Sequence, residues 1–162
     1  MTAIDPAQKE TISLEKATMH LLEECRMVLP GIQMTFGFQL IVVFNESFRK
    51  LLTADQQLLH LGAMTCVALA AALVMAPAAF HRHVEPLEVS GWLLKLGSRL
   101  LMWSMFPLAG GLCVDLYLLA GTMCSNGFSM AYAFTLFVAF LSLWFFAPII
   151  IRVWRQHNRA GV

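Results

Sequence analysis

Four stretches of this chain, residues 27–44, 60–80, 100–119 and 131–151, are apolar enough and long enough to dictate the solvent in which it folds. The hydrocarbon core of a bilayer takes about 20 helical residues at ~1.5 Å each. Together the four stretches hold one acid, Asp115, and no Glu, Lys or Arg. In lipid, every backbone N–H and C=O must be satisfied inside the segment that carries it, so stretches of this kind cross as helices. Composition agrees, with 59% hydrophobic and 13% charged residues, against roughly 25% charged in a soluble domain. The expected fold is all-α: an integral membrane four-helix bundle with an N-terminal amphipathic helix over residues 1–26 and the four spans within 27–162.

A polar stretch of both charge signs precedes the first span, so no secretory signal is expected. Orientation follows from the basic residues. Lys9, Lys16 and Arg26 precede the first span, Arg82, Lys95 and Arg99 lie between the second and third, and Arg152, Arg155 and Arg159 follow the fourth. Only Arg49 and Lys50 lie on the other side. The positive-inside rule then puts both termini of a multi-pass protein in the cytoplasm.

Ahead of the first span, Asp5 can cap a helix, Pro6 suits its first position and Gln8 stands three after the cap. Leu14, Ala17, Leu21, Cys25 and Val28 then follow an amphipathic spacing opposite Glu15, Lys16, Glu23 and Arg26. Such a helix packs on its own protein or lies on the inner membrane surface.

The first span carries residues that a helix facing lipid on all sides would avoid. Placed at ~100° per residue, Glu23, Arg26, Pro30, Gln33 and Gly37 fall together on one face. Glu24, Gly31, Thr35, Gln39 and Glu46 form a second face roughly 160° away. An unpaired polar group in hydrocarbon costs several kcal/mol, so neither face readily meets lipid, and the helix is expected to be central to the bundle. One face serves its own chain, leaving the other for a second subunit or a water-filled path. The residues either make interhelical hydrogen bonds or line a route.

On the second span, Ala68, Ala72 and Ala76 form a small-residue row expected to pack closely against another helix. Its end, with Pro77, His81, Arg82 and His83, reads as an interfacial anchor or a pH-sensing cluster, and its His-x-His spacing is a weak metal signal. Ser104, Gly111 and Asp115 share one side of the third span, Asp115 toward the external end. An acid inside a span needs water, an ion or a partner. Arg49 is the basic residue considered for a structural ion pair with it. The fourth span, with Phe134, Phe137, Phe140, Trp144, Phe145 and Phe146, is expected to face lipid, and Trp154 with the basic tail to anchor it at the inner interface.

Cys25, Cys66, Cys113 and Cys124 are too widely spaced for a metal or disulfide framework and read mostly as packing residues, with Cys124 in the external loop as a free thiol or, alternatively, an intersubunit disulfide partner. There is no phosphate loop, HExxH or nucleophile elbow, so neither enzyme activity nor a cofactor is expected. The basic tail requires no nucleic acid to explain it.

The stretches LLEECRMVLPGIQMTFGFQLIVVFNESF, QQLLHLGAMTCVALAAALVMAPAAFHRH and SRLLMW resemble the bacterial membrane family called domain of unknown function 6328. Glu24, Arg26, Gly31, Gln33, Phe36, Pro77, Ala78, Ala79, Phe80, His81 and Arg82 carry the likeness. Relatives often have Tyr where this chain has Phe80 and Asn where it has Ser98. The resemblance implies the four-span topology. Some members carry a sodium:proton antiporter label, yet this chain lacks paired midplane carboxylates and inverted repeats of broken helices.

Two functions follow as expectations. In one, a homo-oligomer lets ions or protons cross by way of Glu24, Arg26, Gln33, Gln39, Glu46 and Asp115. In the other, the protein is a non-conducting scaffold or regulator that binds another membrane protein.

Overall fold

A computed structural model describes residues 13–84 and 90–160, excepting the side chains of 155–160. The described residues are helical almost throughout. In chain order they form α1 (Leu14–Phe44), α2 (Glu46–Leu51), α3 (Ala54–Val84), α4 (Gly91–Met123), α5 (Asn126–Leu141), a π-helical turn (Ser142–Phe146) and α6 (Ala147–Ala160). Four of the resulting rods are long and apolar enough to cross a membrane, the fourth running through α5, the π turn and the start of α6. This is an all-α four-helix bundle of the kind expected.

The helix starts follow from local chemistry. Ser13 caps α1 by accepting from Lys16 N–H, and from there the helix runs unbroken to Phe44. Residues 14–26 are thus the first turns of the spanning helix itself; the start expected at Asp5, Pro6 and Gln8 lies outside the described residues. Asn45 leaves helical geometry at ψ 135° and its side chain accepts from Ser47 N–H, which ends α1 and begins α2. Thr53 and Gln56 cap α3 reciprocally: Gln56 Oε1 accepts from Thr53 N–H at 2.9 Å and Thr53 Oγ1 from Gln56 N–H at 3.3 Å. The π turn precedes Pro148, and Ala147 N–H reaches back five residues to Ser142 C=O. A proline has no N–H to offer the preceding turn, and a π turn is one way to absorb the mismatch.

Successive spanning helices run antiparallel. At one end Gly97 of α4 meets Leu21 of α1 and Pro77 of α3, whereas at the other Gln39, His60 and Asp115 of the same three helices converge. The best-packed seam lies between α3 and α4. Ala63, Val67, Ala70, Val74 and Pro77 make the buried row of α3, facing Leu101, Ser104, Ala109 and Gly111 of α4. A Cβ on Gly111 would lie 2.8 Å from Val67 Cγ2 and 2.9 Å from the Ala63 carbonyl oxygen. Close approach of this kind drives helix association in lipid, where burying apolar surface gains little.

Two expectations are corrected. The central helix is α4, which touches α1, α3 and α5, while α1 packs through one stripe only. The small row Ala68, Ala72 and Ala76 is not the packing face of α3: Ala68 and Ala72 are exposed and Ala76 half-buried. Both rows of α3 contain small residues, and the glycines of α4 select the other one. Outside, Met34, Phe38, Leu69, Trp103, Phe134 and Ile150 expose apolar side chains, the surface a bilayer accommodates. All four cysteines are free, with Cys25 and Cys113 buried and Cys124 exposed.

Candidate functional site

Where α1 ends, α3 begins and α4 ends, three polar side chains meet in an apolar setting. By residue count at ~1.5 Å each, Gln39, His60 and Asp115 lie about 8–12 Å inside their helix ends. Asp115 Oδ1 accepts from His60 Nδ1 at 2.9 Å, and Asp115 Oδ2 accepts from Gln39 Nε2 at 2.6 Å. His60 Nε2 faces the Gln39 backbone carbonyl at 3.2 Å. The cluster therefore ties α1, α3 and α4 together. The His60 side chain is 6% exposed and that of Asp115 24%.

The corner helix α2 completes the site. Phe48, its buried residue, sets its ring edge-on to His60 with centroids 5.2 Å apart. Asn45 and the Thr53–Gln56 box fix the corner, so local capping holds the aromatic lid over the imidazole. The cluster forms the floor of a cleft of about 490 Å³, walled by apolar side chains from α1, α2 and α4, among them Phe38, Val42, Leu51 and Leu119.

Both ring nitrogens of His60 face oxygen acceptors. A neutral ring donates through Nδ1 to Asp115 and leaves Nε2 without a proton to give the Gln39 carbonyl; a doubly protonated ring serves both. Gln39 Oε1 is buried and has no hydrogen-bond partner. Among the described residues no group of three His, Cys, Asp or Glu is placed to hold a metal ion.

The sequence-derived candidates divide by place. Gln39 and Asp115 come together. Glu46 does not join them: it belongs to α2, its side chain is 87% exposed, and it pairs with Lys50 at 2.9 Å. The helical wheel assumed one helix through residue 46, and the cap at Asn45 breaks it. Asp115 pairs with His60, not with Arg49. Glu24, Arg26, His81, Arg82 and His83 lie toward the opposite end of the bundle, with Arg26 about 20 Å along α1 from Gln39. Gln33, near mid-height, is exposed and has no hydrogen-bond partner among the described residues. Thr35 satisfies itself by donating to the Gly31 carbonyl at 3.0 Å.

His60 is the residue that sequence reasoning missed. It stands at the edge of the second span, where a histidine reads as an ordinary interfacial residue. The available signal was depth: it is the ionisable group of that span set at the same end as the single intramembrane acid.

The bundle and its sheltered His–Asp pair define a multi-pass membrane protein with a polar cluster inside one end. The chain belongs to the family of unknown function DUF6328, whose profile matches residues 8–148. No curated protein and no solved structure matches it.

Proposed function

We propose that the protein is a homo-oligomer of the bacterial inner membrane, with both termini in the cytoplasm, that passes protons or small cations by way of the Gln39–His60–Asp115 cluster. The observation that carries this reading is the His60–Asp115 pair held among apolar helices and reached from a cleft. Charged pairs in such surroundings add little stability over apolar residues, so a structural role alone is a weak reason to keep one. With the termini inside, the cluster opens to the external side.

Below the cluster the interior of a single chain is closed, because Ile32, Val67, Ala70, Val74 and Ala109 are all buried. The route therefore continues along the outward face of α1, past Gln33 to Arg26 and Glu23, where a second subunit supplies the other wall. An unpartnered Gln33 facing hydrocarbon costs several kcal/mol, and a two-fold contact lets the Gln33 amides of two copies bond to each other. Gly37, on the same face, has open space where a Cβ would stand.

The second reading is a non-conducting scaffold whose α1 face binds a different membrane protein; the closed interior favours it. Purified protein in liposomes separates the two. Conduction predicts faster collapse of an imposed proton or cation gradient than in empty liposomes. Liposomes as tight as empty ones to protons, sodium, potassium and chloride, at neutral and acidic pH, would leave the scaffold.

A further inference from the structure

The cleft is larger than ion passage requires, and its lining holds one acid, Asp115, and no Lys or Arg. Asp115 presents two carboxylate oxygens, each holding one hydrogen bond and able to accept another. Gln39 is 4% exposed, and its Oε1 has no partner. The threonine hydroxyls of the lining are already spent as donors, Thr35 on the Gly31 carbonyl and Thr122 on the Leu119 carbonyl. Asn45 and Ser47 of the lining also carry side-chain donors, but the free acceptor sites of Asp115 ask for a donor of their own, and a lipid tail has none to give. A carboxylate in an apolar cleft is complemented by a cation that can also donate hydrogen bonds to it. The walls ask for something apolar, and about 490 Å³ lies within the ~300–1,000 Å³ range of small-molecule pockets.

From these complementary demands we infer that the cleft binds an amphipathic primary ammonium ion, its N–H groups directed to the Asp115 carboxylate and its apolar body against Phe38, Phe48, Leu51 and Leu119. A charge-assisted hydrogen bond is about twice as strong as a neutral one, so head-group chemistry rather than apolar size sets the preference. The inference uses the same cluster as the proposed conduction and does not depend on ions crossing.

The test uses the whole protein in nanodiscs and 4-fluorobenzylammonium as the probe, followed by fluorine NMR against empty nanodiscs. Two analogues separate the demands: 4-fluorobenzyl-trimethylammonium keeps the charge without an N–H, and 4-fluorobenzyl alcohol keeps a donor without the charge. The expected result is saturable binding of the primary ammonium, at least about tenfold tighter than either analogue, as one charge-assisted bond implies. Asp115→Asn should weaken it by about tenfold or more. Because that variant also touches the helix contacts, Leu119→Trp serves as a second: it fills the cleft from an exposed position, leaves the cluster in place and should abolish binding. Equal binding of the trimethyl analogue or the alcohol, or no binding beyond that of empty nanodiscs, overturns the inference. Binding in a protein whose liposomes are tight to ions would retain the site and remove only the conduction.

Discussion

The imidazole of His60 and the carboxylate of Asp115 meet at 2.9 Å across 55 residues of sequence. The other two ion pairs among the described residues are exposed contacts within one helix, His20–Glu23 and Glu46–Lys50. With Gln39 the pair locks three helices at one end of the bundle, so it carries a structural duty alongside any functional one.

Removing one partner should therefore expose that duty. His60→Ala leaves the carboxylate short of a donor and should destabilise the fold by roughly 1–3 kcal/mol. In thermal unfolding in mild detergent, a cycle with Asp115→Asn should give a coupling energy of roughly 0.5–3 kcal/mol. Additive effects would mean that the two side chains do not interact.

The glycines separate fold from assembly. Gly111→Val drives a side chain into Val67 and the Ala63 backbone and should cost about 1–3 kcal/mol. Gly37→Leu meets open space, leaves the unfolding temperature of the monomer in place and should weaken the oligomer seen by native mass spectrometry. Monomers alone from the wild type in mild detergent or nanodiscs would contradict the proposed assembly.

Corner chemistry should matter more than its exposure suggests. Thr53→Ala removes one half of a reciprocal cap and should cost about 1 kcal/mol. Since the corner carries Phe48 onto His60, faster hydrogen exchange should appear in α2 and the first turns of α3 before the rest of the bundle; uniform loosening would argue that the cap does not position the lid.

Orientation is open to direct chemistry. With the other three cysteines replaced, exposed Cys124 should react with an impermeant maleimide added to intact cells. Labelling of Cys25 alone, in the reciprocal variant, would reverse the assignment.

Much of the fold was legible because lipid permits few solutions: apolar stretches of about 20 residues cross it as helices. What pairs with what was less so. The periodicity of α1 separates its faces, but it does not say that Thr18, Leu21, Cys25, Ile32 and Gln39 are the buried ones. That stripe runs beside the second polar face and shares only Gln39 with it, while the first face, with Arg26, Pro30 and Gln33, is exposed. Glu46 was misplaced because a wheel does not register the cap at Asn45, although Asn is itself a preferred helix-capping residue, here accepting from the Ser47 backbone N–H. His60 was overlooked because its meaning lies in Asp115, a partner on another helix.

The most direct test of the account compares two carboxylates in one assay. In liposomes carrying an imposed proton gradient, Asp115→Asn should slow the dissipation supported by wild-type protein by about tenfold or more, one decade being ~1.4 kcal/mol. Glu46→Gln, which touches only an exposed pair with Lys50, should leave the rate unchanged. Equal rates for wild type and Asp115→Asn, with both proteins folded and reconstituted alike, would contradict the central role given to the His60–Asp115 cluster.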